Sequence, residues 1–156
     1  MAKFKIDLQD KVVVITGSGG IICGGIAEEL AQSGAKLALI DLNLSSAEKV
    51  AAKVREKGGV AKAYGASVID KNSLILAHDQ IVNELGSCDI LINGAGGNNA
   101  RATTDNEYCD IEKSIEKDFF ALEESGVRFV FDLNFLGTFL TTQIFAKDMI
   151  GKKGCS

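Results

Sequence analysis

A glycine-rich turn follows the first apolar run of the chain. Residues 11–16 (KVVVIT) are rich in β-branched types, and residues 17–20 read Gly-Ser-Gly-Gly. A helical pattern begins directly afterwards, so the turn lies between a predicted strand and a helix N-terminus. Free N–H groups and the helix dipole at such an end favour a pyrophosphate. The pattern predicts nucleotide binding, and the alternative is a flexible turn with close helix packing.

An acid and a second small-residue turn follow two later strands. Asp41 ends the predicted strand 36–41, close to the ~20-residue spacing at which an acid hydrogen-bonds the ribose of NAD. A carboxylate there repels a 2′-phosphate, which favours NAD over NADP. The alternative is an acid that satisfies the helix N-terminus over 43–46. Residues 93–96 (NGAG) follow the fourth strand, where small side chains let a ligand lie against backbone, although an ordinary turn has the same composition.

The elements that must position these residues alternate regularly along the chain. Short apolar runs at 11–16, 36–41, 60–64 and 88–93 are separated by helical periods, which indicates βαβ units and a parallel sheet. Right-handed crossovers favour the strand order 3-2-1-4. The predicted fold is therefore α/β, a Rossmann-type doubly wound sheet truncated before strand 5. Because no linker or repeat is visible, residues 1–156 form one predicted domain.

Helix patterns supply more local expectations. Ile22, Ile26 and Leu30 recur every four residues, which predicts that they form the buried face of the first helix. Ser45 and Glu48 have the spacing of a capping box for the second helix. Asp70 or Asn72 is expected to cap the third.

The C-terminal third is expected to contain a loop and two helices. Residues 98–110 are polar and predict a long loop, whose acids we interpret as solvated charges, so no metal site is predicted. Residues 111–124 have an amphipathic helical pattern. Residues 127–150 are apolar around the whole helix circumference, which predicts burial on more than one side.

Composition excludes several classes of protein. The 156 residues are 46% hydrophobic with a net charge of −4, which argues against disorder and, without a basic stripe, against a nucleic-acid partner. No uninterrupted apolar run reaches the ~18 residues of a membrane span, and no signal peptide is visible. The four cysteines include no C-x-x-C, and there is one histidine, so a Cys/His zinc site lacks its spacing. A reduced, cytoplasmic protein is expected.

Taken together, the turn after Thr16, Asp41, the segment 93–96 and the segment 134–137 (NFLG) resemble the short-chain dehydrogenase/reductase family over essentially the whole chain. The individual residues of these segments resemble those of one branch of the family, the D-mannonate/fructuronate-type sugar-acid oxidoreductases. The resemblance implies hydride transfer between the nicotinamide of NAD and a secondary alcohol or ketone, with a sugar acid as candidate small-molecule substrate. It also implies a homo-oligomer formed through the helix over 127–150.

The resemblance implies a role for each matched residue. Asn134 corresponds to the family's helix-kinking asparagine, which supports a proton-relay water. Gly20, with Gly19, would let the backbone approach the phosphates. The implied cofactor contacts are Gly17, Ser18, Gly19 and Ile22 at the phosphates, Asp41 at the adenosine ribose, Ser67 and Val68 beside the adenine, and Asn93, Ala95 and Gly96 bordering the ribose.

Three departures from the family pattern matter. Ile21 and Cys23 stand where the family has the second and third glycines of its turn, and Ser67 replaces an acid. We therefore expect an altered phosphate turn and a weaker adenine contact. We prefer a packing role for Cys23 over a reactive thiol.

The family's catalytic Tyr-x-x-x-Lys is absent from this chain. Tyr64 is followed four residues later by Val68, and Tyr108 by Glu112. General acid–base catalysis without its acid is not expected, so we expect a chain that carries the cofactor half, lacks the catalytic Ser, Tyr and Lys, and is inactive alone. The alternatives are a non-catalytic dinucleotide-binding or sensor module and a methyltransferase-like nucleotide domain.

Overall fold

A computed structural model describes residues 7–108 and 118–156. Four parallel strands form one sheet in the order β3-β2-β1-β4, which confirms the predicted order. In register, Val14 of the central strand lies between Ala38 and Leu91. The strands are β1 (Val12–Thr16), β2 (Lys36–Asp41), β3 (Val60–Gly65) and β4 (Ile90–Ile92).

Helices cover both faces of this sheet, as in a doubly wound fold. The first two pack on one face, where Val13 and Ile15 point, and the third and fifth pack on the face of Val12 and Val14. Since β1 is fully buried from both sides, its near-continuous β-branched sequence is explained. The helices are α1 (Ile21–Gln32), α2 (Leu44–Glu56), α3 (Lys71–Glu84), α4 (Glu124–Phe131) and α5 (Gly137–Phe145).

The buried face of α1 differs from the prediction. Cys23, Gly24 and Ala27 are buried, whereas Ile22 is 78% exposed and Ile26 37% exposed. A Cβ on Gly24 would lie 3.3 Å from a methyl of Val50 on α2. Because α1 and α2 approach this closely, only small residues fit between them, and the isoleucines turn outward.

The N-terminus of α2 also differs from the prediction. The side chain of Asn43, rather than Ser45, caps the helix by accepting a hydrogen bond from the Ser46 N–H at 3.2 Å. The Ser45 hydroxyl instead donates to the Asn43 side chain at 2.7 Å. Asp70 caps α3 through the backbone N–H groups of the first turn, which was one of the two predicted caps.

The apolar helix over 127–150 is buried on one side only. Thr141 and Phe145 are fully buried against α3 and the sheet, but Phe131, Phe135 and Phe139 are 66%, 71% and 51% exposed. The expectation of burial on more than one side was therefore wrong for these described residues. A π-helical turn, Asp132–Leu136, joins α4 to α5.

That helix has the length and composition of a membrane span. Within 7–108 and 118–156 it is the one segment that does, with 26 residues over Glu124–Met149. Charged and polar residues interrupt the apolar sequence of this helix, so a search for a continuous apolar run in the sequence does not detect it. Helices at the centre of globular domains have the same composition, and the Phe145 side of this one packs on the sheet.

The segment between the fourth strand and α4 is only partly described. A short 3-10 turn, Ala100–Ala102, packs against α4, where a Cβ on Gly126 would lie 2.7 Å from the Arg101 carbonyl carbon. The first half of the predicted helix over 111–124, residues 111–117, lies outside the described residues. Its described end forms a 3-10 turn, Phe119–Ala121, before α4 begins.

The outer side of β4 pairs with Ser156. The Ser156 N–H donates to the Asp89 carbonyl at 2.9 Å, and the Leu91 N–H donates to the Ser156 carbonyl at 2.8 Å. This exchange is the pattern of a parallel ladder. Ser156 therefore occupies the position of a fifth parallel strand beside β4, where the sequence predicts that strand to begin.

Candidate functional site

A cavity of about 830 Å³ opens at the carboxyl ends of β1, β2 and β4. Ligands of doubly wound sheets bind at this edge, where the strand order reverses. Among the residues that the structure describes, Asp41 is the only one with a charged side chain in this lining. The lining comprises Gly17, Gly19, Gly20, Ile21, Ile22, Cys23, Ile40, Asp41, Leu42, Ser46, Ala66, Ser67, Val68, Ile69, Gly94, Ala95, Gly96, Phe129 and Leu133.

The glycine turn has the geometry of a phosphate-binding turn. Gly17 has φ +66°, and a Cβ there would lie 2.8 Å from the Ala95 Cα, so both conformation and space require glycine. Gly20 begins α1 without any side-chain cap. The first N–H groups of the helix therefore face the cavity without a side-chain partner, and a pyrophosphate can take that place.

Asp41 ties the phosphate turn to the end of β2. Its carboxylate accepts the Gly19 N–H at 2.9 Å through one oxygen and the Asn43 N–H at 2.8 Å through the other. The predicted ribose contact and the alternative helix-terminus contact are thus compatible, because each carboxylate oxygen has a second lone pair. Since no cationic side chain lines the cavity among residues 7–108 and 118–156, a 2′-phosphate beside Asp41 would be repelled without compensation from these residues.

The turn after β4 is held by a buried hydroxyl. Thr16 is 1% exposed, and its oxygen accepts the N–H groups of Gly94 and Ala95 at 3.1 and 3.2 Å. The Cys23 sulfur fills the space that a Cβ on Gly94 would need. Burial, and then the nearby Asp41 carboxylate, raise the pKa of the Cys23 thiol, which is consistent with a packing role.

Asn134 connects the turn after β4 to the kinked helix. Its amide nitrogen donates to the carbonyls of Gly97 and Val130, both at 2.8 Å, and its amide oxygen accepts the Gly97 N–H at 3.1 Å. It lies within the π-helical turn, as the family's helix-kinking asparagine would. Asn134 therefore holds the loop and helix together beside the cavity.

Nearly all of the sequence-predicted cofactor residues meet in this one cavity. Two do not line it. The Ser18 hydroxyl is buried and donates to the Ile40 carbonyl at 3.1 Å, so its side chain faces β2. The Asn93 amide donates to Thr142 at 3.1 Å and faces α5. The predicted residues that line the cavity are Gly17, Gly19, Gly20, Ile22, Asp41, Ser67, Val68, Ala95 and Gly96.

Other lining residues were missed by sequence reasoning. Leu42 and Ile69 directly follow predicted contacts, so their position along the chain could have indicated them. Phe129 and Leu133 come from a helix some sixty residues after β3, and no local pattern distinguishes them from its other apolar residues.

Among the described residues, no tyrosine or lysine side chain lines the cavity. The Tyr64 hydroxyl lies elsewhere and donates to Glu84 at 3.0 Å. Burial, and then its contact with Glu84, raise the pKa of Tyr64, whereas a catalytic tyrosine needs a lowered pKa. Tyr108 is exposed on the long loop. The described lining therefore lacks the family's catalytic Tyr and Lys, and its polar side chains are Cys23, Asp41, Ser46 and Ser67.

The comparisons with known proteins agree with this geometry. The model of the short chain dehydrogenase family matches residues 11–156. The chain belongs to that family of oxidoreductases.

Individual curated proteins and solved structures are also similar to this chain. An uncharacterised oxidoreductase of Haemophilus influenzae is 48% identical over 96% of this chain and 53% of its own length. An NAD-bound structure from Haemophilus influenzae, provisionally assigned as a D-mannonate oxidoreductase, has a TM-score of 0.93 and 48% identity, with 96% and 54% coverage. NAD⁺-bound xylitol dehydrogenase has a TM-score of 0.77 and 30% identity, with 93% and 50% coverage. The chain spans about half the length of the curated relatives it matches.

Proposed function

We propose that this chain is the cofactor-binding half of an NAD-dependent oxidoreductase acting on a small sugar acid. The observation that carries the proposal is the convergence of the glycine turn and Asp41 on one cavity whose described lining contains no cation. The similarity to an NAD-bound structure assigned to D-mannonate supports the cofactor and substrate class. The reaction proposed for the whole protein is hydride transfer between nicotinamide and a secondary alcohol or ketone.

The residues of this chain bind and orient the cofactor. The N-terminal N–H groups of α1 hold the pyrophosphate, and Asp41 accepts hydrogen bonds from the adenosine ribose. Thr16 fixes the turn after β4, and Asn134 fixes the same turn from the opposite side. When bound, the nicotinamide supplies or accepts the hydride.

Titration of the 156-residue chain with NADH and NADPH, followed by cofactor fluorescence, tests the binding proposal. We expect saturable NADH binding, NADPH at least tenfold weaker, and no NADH-dependent ketone reduction by this chain. Equal affinity for both cofactors, or no binding, would contradict the role of Asp41 and of the cavity. NADH-dependent ketone reduction by this chain would contradict the proposal that its residues bind and orient the cofactor without catalysing the reaction.

The substrate proposal needs the protein as its source cell makes it. We expect an intact mass above 16.5 kDa and NADH oxidation with keto sugar acids in preference to neutral ketoses. An intact mass of 16.5 kDa would favour a non-catalytic binding module instead.

We also propose a cytoplasmic homo-oligomer, without a nucleic-acid or membrane partner, that associates through the outward face of α4 and α5. This face carries Phe131, Phe135 and Phe139, and apolar patches of this kind drive association. Light scattering at micromolar concentration should show a mass of at least two chains, and Phe135→Lys should lower it. A monodisperse wild-type monomer would refute the proposal.

A further inference from the structure

The cavity extends beyond the ribose position into an apolar slot. With the pyrophosphate at α1 and the ribose at Asp41, the base of the proposed cofactor must continue away from the glycine turn. The lining in that direction consists of Leu42 after β2 and of Val68 and Ile69 after β3. The placement of the base here rests on the proposed dinucleotide binding.

Helix α4 supplies an aromatic wall for this slot. A Cβ on Gly137 would lie 2.7 Å from a methyl of Val68, so the start of α5 packs directly on the segment after β3. Leu133, in the π-helical turn, and Phe129, in α4, precede Gly137 along the same continuous helix. Both line the cavity. Phe129 is 43% exposed and stacks on no other ring in the described part of the chain.

Few groups in the slot can read the edge of a base. Among the described lining residues that follow β3, Ala66 to Ile69, only Ser67 has a side chain that can form hydrogen bonds. Its backbone N–H is already donated to the Ser73 hydroxyl at 3.1 Å. A carboxylate at this position could only accept, and would therefore favour an exocyclic amine, whereas the Ser67 hydroxyl can donate or accept.

We propose that the slot holds a purine by stacking on Phe129 and by burial, without discriminating between an exocyclic amine and an oxo group. Ser67 accepts from the amine of adenine or donates to the oxygen of hypoxanthine. NAD and its deamino form, nicotinamide hypoxanthine dinucleotide, are then both cofactors of this site.

Titration of the 156-residue chain with NADH and with deamino-NADH tests the proposal. We expect wild-type dissociation constants within about threefold of each other. Phe129→Ala should weaken both nucleotides equally, by about 5- to 150-fold, the range for loss of one base–aromatic stack. Phe120→Ala is the control, because Phe120 is 71% exposed and lies outside both the cavity and the outward face of α4 and α5. Ser67→Asp should favour NADH by about tenfold or more.

Three results would overturn the proposal, and they are distinguishable. Wild-type binding of NADH more than tenfold tighter than of deamino-NADH would show that the amine is read. A Phe129→Ala variant that binds as well as Phe120→Ala would show that the ring does not stack on the base. Failure of the wild-type chain to bind either nucleotide would overturn the proposed cofactor function together with this inference.

Discussion

Replacement of Asp41 by asparagine tests the centre of the site with almost no change in shape. The carboxylate accepts one backbone N–H through each oxygen, from Gly19 at 2.9 Å and from Asn43 at 2.8 Å. An asparagine keeps one acceptor and presents an NH₂ group at the other position. One of the two backbone N–H groups then faces a donor, and the negative charge is lost.

The expected loss of NADH affinity follows from the proposed hydrogen bond between the adenosine ribose and the Asp41 carboxylate, which the substitution weakens or removes. Hydrogen bonds to charged groups contribute about 1.5–3 kcal/mol. At ~1.4 kcal/mol per tenfold change, the NADH dissociation constant of Asp41→Asn should rise about 10- to 150-fold. NADPH should lose less, because the repulsion between Asp41 and the 2′-phosphate disappears with the charge. The preference for NADH over NADPH should therefore shrink.

Fluorescence titration of both cofactors measures this prediction, with Asp79→Asn as control. The Asp79 side chain is 66% exposed on α3 and does not line the cavity, so its variant should bind as wild type. If Asp41→Asn bound NADH within twofold of wild type and still excluded NADPH, Asp41 would be only a support for the helix terminus. The assignment of the ribose position would then be wrong.

Three further predictions concern stability and reactivity. Thr16→Val removes the acceptor of two backbone N–H groups and should cost about 1–3 kcal/mol per group in urea unfolding. Thr104→Val, at an exposed position of the loop after β4, should cost under ~0.5 kcal/mol. Burial raises the pKa of Asp89. The hydrogen bond that its carboxylate accepts from the Val12 N–H and the nearby Lys11 ammonium have the opposite effect, and the pKa of Asp89 is lowered overall. Asp89 therefore stabilises the fold at pH values above its pKa in the unfolded chain, about 3.9, and this stabilisation is lost as the pH falls further. In Asp89→Asn, the free energy of unfolding should change less between pH 5 and pH 3 than in the wild type. Cys23, whose thiol pKa is raised, should react with iodoacetamide at pH 7.5 more slowly than free cysteine, as peptide mass mapping would show.

Local pattern was sufficient for the order and type of the elements. Buried parallel strands need apolar runs and helices need a 3.6-residue period, so four strands and three intervening helices could be predicted from spacing alone. The glycine turn could be predicted for the same reason. Gly17 adopts a backbone conformation that few other residues tolerate, and this requirement is written in the residue type itself.

Contacts between distant segments decided what the pattern could not. The approach of α1 to α2 selects Cys23 and Gly24 for burial and turns Ile22 outward into the cavity. Packing of α5 on Val68 brings Phe129 to the cofactor cavity. A helical period states which residues share a face, but not which face meets a neighbour, because that depends on the space left between elements far apart in the chain. The family and the glycine turn were therefore determined by sequence, and the aromatic wall of the site by tertiary structure.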